Sequence, residues 1–160
     1  MTRVQRNLWG YLVVLVCLVG FVAVAQAQED EELIKYRQKV MTSNGASMGA
    51  IGDILKHKLP YQSHITIHAQ DIQRMSTVIP DAFKKQITAG KTDAKPEIWK
   101  EWDKFAADAE AMGKEAAELA KVAQGSDMAA ISAQVKKLGD SCGNCHKPYR
   151  KPKEESYKNK

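Results

Sequence analysis

Cys142-Gly143-Asn144-Cys145-His146 is the stretch of this chain in which residue type and spacing together prescribe a chemistry. Two thiols three residues apart share one face of a helix, where each can add to a vinyl group of the same porphyrin. A His directly after the second thiol can reach the iron from that face. The expectation is one covalently attached haem c, bonded through Cys142 and Cys145, with His146 as an axial iron ligand. Two other chemistries use similar residues. A dithiol redox pair wants a βαβ context, which the pattern lacks. A zinc site wants four closed ligands, but His57, His64 and His68 lie far upstream and no second C-x-x-C is present.

The elements that must position these groups read as helices throughout, and no stretch shows convincing strand alternation. Pro60, Pro80, Gly90 to Pro96 and Gly125-Ser126-Asp127 divide the chain into four segments, at about 30–58, 64–79, 96–124 and 127–147. Ile65, His68, Ile72, Met75 and Ile79 step by three and four, as do Trp102, Phe105, Ala109, Met112, Ala116, Leu119 and Ala123. In the first segment Ile34, Met41, Met48 and Leu55 recur every seven residues, beside Leu33, Val40, Ser47 and Ile54. In the last segment Ile131, Val135 and Leu138 run straight into Cys142 and Cys145, so the attachment residues continue a core seam. Short connections between long amphipathic helices predict an all-α, up-down-up-down antiparallel four-helix bundle. Pro96 suits the first turn of the third helix, Ser126 is a candidate cap for the fourth, and 81–87 is a candidate short helical turn.

The amino end has a different composition. Arg3 and Arg6 precede an apolar run from Leu8 to Ala25, then Ala25-Gln26-Ala27, which is the anatomy of a secretory signal peptide at 1–27. The run is also near the lower limit for an uncleaved anchor. Cleavage leaves 28–160, one ordinary domain with two cysteines, expected in the periplasm and off the membrane. Residues 28–146, the expected haem domain, hold 16 basic and 17 acidic side chains, whereas the tail 147–160 holds 6 basic and 2 acidic. A basic tail on an exported protein suits an acidic redox partner or anionic lipid, and nucleic acid is not expected there. The plainer expectation for 147–160 is a solvated, frayed terminus.

Beyond the motif, the chain resembles the cytochrome c-prime family, the class II c-type cytochromes. The resemblance runs from Tyr36-Arg37-Gln38 through Pro60, His68-Ala69, Pro80-Asp81-Ala82-Phe83 and Ile98-Trp99-Lys100 to Cys142-Gly143-Asn144-Cys145-His146-Lys147-Pro148-Tyr149-Arg150. It implies a haem-bearing four-helix bundle, with Met41 where the first helix faces the distal side of the haem. Members differ there: in a low-spin branch a Met binds the iron, and in high-spin members an unbound side chain blocks the site. Met41 is also simply a seam residue, and Met48 reads mainly as core packing. The resemblance further implies that Arg150 lies on the proximal side and that Tyr36 and Arg37 border the haem pocket. It also implies a homodimer.

Two functions follow as expectations. With His146 and Met41 both on iron the protein is a one-electron carrier. With His146 alone it binds nitric oxide or carbon monoxide at a five-coordinate, high-spin haem. A haem-loaded accessory subunit that exchanges no electrons is the third alternative. The sequence shows no nucleophile–base pair, no paired carboxylates in a convincing cleft and no phosphate loop, so it does not indicate an enzyme. His68 reads as a core or edge histidine, and Trp99 and Trp102 as packing aromatics.

Overall fold

In the computed structural model the backbone is described for residues 3–159 and side chains for residues 26–159. The expected signal segment at 1–27 therefore lies, for its side chains, outside the described residues apart from the last two. Contacts divide the chain into two units, Met1–Leu33 and Ile34–Lys160. In the first, the Gln26 amide donates to Glu29 at 3.2 Å. Among the described residues no helix is long and apolar enough to cross a membrane.

The expected four helices form, with edits at their ends. Helix α1 spans Arg3–Lys56, α2 Gln62–Phe83, α3 Glu97–Lys100, α4 Trp102–Val122 and α5 Met128–Tyr149. Lys58 closes α1 in the left-handed region at φ 51. The Leu59 N–H donates back to the Ile54 carbonyl at 3.0 Å, satisfying a helix-end acceptor before Pro60. The expected break at Pro80 does not occur. The proline is held inside α2, and the three residues after it carry Ala82 and Phe83 into the core. Burying that last turn offsets the hydrogen bond a proline cannot donate. The expected third helix divides instead, because Glu101 leaves helical geometry at φ −120, ψ 42. Pro96 precedes the short first piece as its cap residue. Asp127 caps α5 rather than Ser126: its carboxylate accepts from Ala129 N–H at 2.9 Å and Ala130 N–H at 3.1 Å.

Ties between helix ends establish the topology of the second unit. Arg37 near the start of this part of α1 meets the Ala82 carbonyl at the end of α2. Gln62 at the start of α2 donates to the Gly125 carbonyl after α4. Tyr149 at the end of α5 donates to Glu101 at the start of α4. Successive long helices are therefore antiparallel, as expected of an up-down-up-down bundle. Ile51, Ile65, Ile72, Ile98, Leu119, Ile131 and Leu138 form its driest layer. Each contributes about 1.5–3 kcal/mol of apolar burial.

The seams are shifted slightly from the sequence reading. Ala69 and Ser76 are buried where His68 and Met75 were expected, and the latter two are half-buried. Gln134 replaces Val135 in the α5 core and is satisfied by Glu115, donating to its carboxylate at 2.6 Å and its carbonyl at 3.1 Å. Gly113 allows the α2–α4 contact, since a Cβ there would collide with the Ser76 hydroxyl.

Candidate haem site

The attachment turn lies where α5 leaves the densest part of the core. Leu138 is fully buried, whereas Cys142 and Cys145 are half-buried and pack against the same apolar cluster. Both are free thiols. Burial raises the Cys142 pKa above the ordinary thiol value. Burial first, then the negative charge of Asp108, pushes Cys145 up to about 12. Both sulfurs are therefore held protonated, as S–H groups on one face of one helix. His146 follows on the exposed side of the turn. Partial desolvation of its ring, then the positive charge of Arg150, lowers its pKa, which favours the neutral imidazole that ligates iron.

Helix α1 supplies the facing wall. The Met48 methyl lies against Gly139, 3.6 Å from where a Cβ would stand on that residue. Because α1 and α5 run antiparallel, seven residues back along one and forward along the other, about 10 Å, brings Met41 level with His146. Met41 and Met48 are each half-buried against the core cluster, while Val40, Ser47 and Ile51 on the same helix are buried. Asn44 lies between the two methionines on this seam, and its buried Oδ1 has no hydrogen-bond partner.

The family resemblance implies a place at the haem pocket for three further residues, Arg37, Tyr36 and Arg150. Arg37 is 3% exposed. Its Nε donates to the Ala82 carbonyl at 2.7 Å and a second nitrogen donates to the Lys85 carbonyl. The guanidinium also covers the rings of Phe83 at 5.0 Å and Trp99 at 5.6 Å. It fastens α1 to the end of α2. Tyr36 is exposed at 48%. Arg150 ends α5, its N–H donating to the His146 carbonyl at 3.0 Å, and its guanidinium lies 4.0 Å from the Asp93 carboxylate. The Trp99 indole donates to the Phe83 carbonyl at 2.8 Å, and Trp102 packs on Phe105. Both tryptophans thus act in packing.

Asp93, Asp108, Asn44 and Gly139 were not singled out from sequence. Only tertiary neighbours reveal them, since each is an ordinary polar or small residue outside any motif. Among the described residues no cluster of three or more His, Cys, Asp or Glu is placed to hold a metal ion.

These residues fit a haem. Two adjacent protonated thiols on one face, a neutral imidazole beside them and an apolar thioether wall opposite are the donors and surroundings that such a group requires. Comparison with known proteins agrees. The sequence profile described as Cytochrome C' matches residues 32–150. Cytochrome c' of Rhodospirillum rubrum is 36% identical over 129 residues, covering 79% of this chain and 87% of the relative. Cytochrome c-554 of Cereibacter sphaeroides is 32% identical over 139 residues, covering 83% and 90%. A nitric oxide complex of a variant cytochrome c prime from Alcaligenes xylosoxidans superposes with a TM-score of 0.68 at 29% identity, over 78% of this chain and 97% of that one. A profile spanning most of the chain, relatives matched over nearly their whole length and a shared bundle lead to one conclusion: this chain belongs to the cytochrome c' family and carries covalently attached haem c.

Proposed function

We propose that the protein is an exported, periplasmic haem protein that binds nitric oxide or carbon monoxide at an axial position which its own side chains leave open. The haem iron, when bound, supplies the ligand-binding and one-electron chemistry. The chain's residues set access and polarity. Cys142 and Cys145 hold the group permanently by adding their S–H bonds across its two vinyl groups. His146 is the protein's iron ligand. Met41, level with it on the facing helix, is an apolar gate. The observation that carries this reading is the shared fold and 29% identity with a variant cytochrome c prime solved as a nitric oxide complex. The placement of Met41 among apolar side chains supports it.

The low-spin branch that the family resemblance includes gives a second reading, in which Met41 binds iron and the protein transfers electrons. The variant Met41→Ala separates the two. If Met41 is a gate, the optical spectrum of the variant keeps its axial-ligation features and carbon monoxide enters several-fold faster. Loss of a thioether-to-iron charge-transfer band on substitution would assign Met41 as a ligand. The periplasmic location rests on the leader-like composition of residues 1–27.

A further inference from the structure

The carboxyl-terminal tail was expected to fray, yet it is folded onto the loop before α3. The Lys95 N–H donates to the Tyr149 carbonyl at 2.9 Å and the Lys151 N–H to the Asp93 carbonyl at 2.8 Å. Ala94 and Arg150 form an antiparallel bridge. The Asp93 carboxylate then accepts from the Ser156 hydroxyl at 2.9 Å and the Tyr157 N–H at 3.0 Å. Ser156 is 7% exposed. The Lys151 ammonium donates to the Thr92 carbonyl at 3.0 Å, and Gln38 of α1 donates to the Lys91 carbonyl at 2.7 Å.

The effect of this fold-back is electrostatic. It brings exposed Lys91 from the loop and exposed Lys153 and Lys158 from the tail onto one end of the bundle, with exposed Lys39 on the adjoining α1 face. Lys147 and Arg150 extend the set to within a turn of His146. Asp93, the carboxylate at its centre, is spent on holding the tail, which leaves Glu154 and Glu155 as the exposed acids within the tail. On the outer face of α4, by contrast, Lys104, Lys114 and Lys121 each stand within 4.0 Å of a neighbouring Glu.

We propose that this lysine-rich end, assembled by the Asp93 clasp, is the docking surface through which an acidic electron-transfer protein exchanges one electron with the haem. This deepens the functional reading above and rests on it, because a gas-binding haem must also be returned to its ferrous state. The step is a single-electron exchange: the partner loses one electron and ferric iron becomes ferrous, with no bond broken, and an oxidant that approaches the same surface takes the electron back. An anionic lipid surface fits less well, because Glu154 and Glu155 interrupt the cations.

The test uses the full haem-loaded protein and two small redox probes, hexacyanoferrate(III), a trianion, and tris(phenanthroline)cobalt(III), a trication. Oxidation of the ferrous protein by the anion slows about tenfold between low and high salt, in keeping with electrostatic steering, and oxidation by the cation does not slow. Reversing Lys91, Lys153 and Lys158 to Glu removes the salt dependence for the anion. Reversing Lys56, Lys114 and Lys121, an equal change in net charge placed away from this end, leaves most of it. Equal effects of the two triple variants would reduce the patch to net charge and overturn the proposal. So would capture of the wild-type protein by phosphatidylglycerol vesicles at about 0.15 M salt. A protein that fails to bind carbon monoxide yet shows this salt pattern would sink the gas-binding reading and leave the docking surface standing.

Discussion

At the residue scale the site depends on where protons reside. Desolvation and the nearby Asp108 charge keep Cys145 a thiol up to about pH 12. A raised pKa means the folded chain favours the protonated form, and that preference disappears only as pH climbs through the folded value. In the haem-free chain at about pH 8, Cys145 therefore carries on the order of a thousandfold less thiolate than an ordinary cysteine. Iodoacetamide should label Cys142 before Cys145, with peptide mass mapping as the readout. Equal, rapid labelling of both would contradict the environment described for Cys145. The motif itself was legible in the sequence because its chemistry is local: two thiols and an imidazole within five consecutive residues. Arg37 was legible only as a family match. Its placement over Phe83 and Trp99 and on two carbonyls of the α2 end depends on residues more than forty positions away.

At the scale of elements, helix identity was readable from periodicity, and boundaries were not. Pro80 argued for a break, but the burial of Ala82 and Phe83 carries α2 past it. Nothing in the pattern around Glu101 signalled the turn that separates α3 from α4. Two adjacent polar residues, Ser126 and Asp127, could each cap α5, and the structure selects the carboxylate. Asp127→Ala should then cost about 1 kcal/mol in urea denaturation of the haem-loaded protein, and Ser126→Ala close to nothing. The reverse ranking would contradict the cap. At the α2–α4 contact, Gly113→Ala should destabilise the bundle by about 1–3 kcal/mol through its collision with Ser76, and Ser76→Gly in the same chain should recover much of the loss. A tolerated Gly113→Ala would mean that the two helices separate freely there.

At the scale of the molecule, antiparallel helices convert sequence distance into proximity. Met41 and His146 are over a hundred residues apart, yet the Met48–Gly139 contact sets a register that brings them level. The up-down-up-down order was legible because two of the three connections, 57–61 and 123–127, are short. The tail was not, because its clasp is made by one carboxylate in a loop and by main-chain groups that carry no sequence signature. The proposed gas-binding function requires the sixth position on iron to be open. Rapid mixing of the ferrous, haem-loaded protein with carbon monoxide tests it most directly. An open position gives a binding rate that rises in proportion to carbon monoxide concentration. A rate that levels off at a fixed ceiling, set by release of a protein ligand, would contradict it.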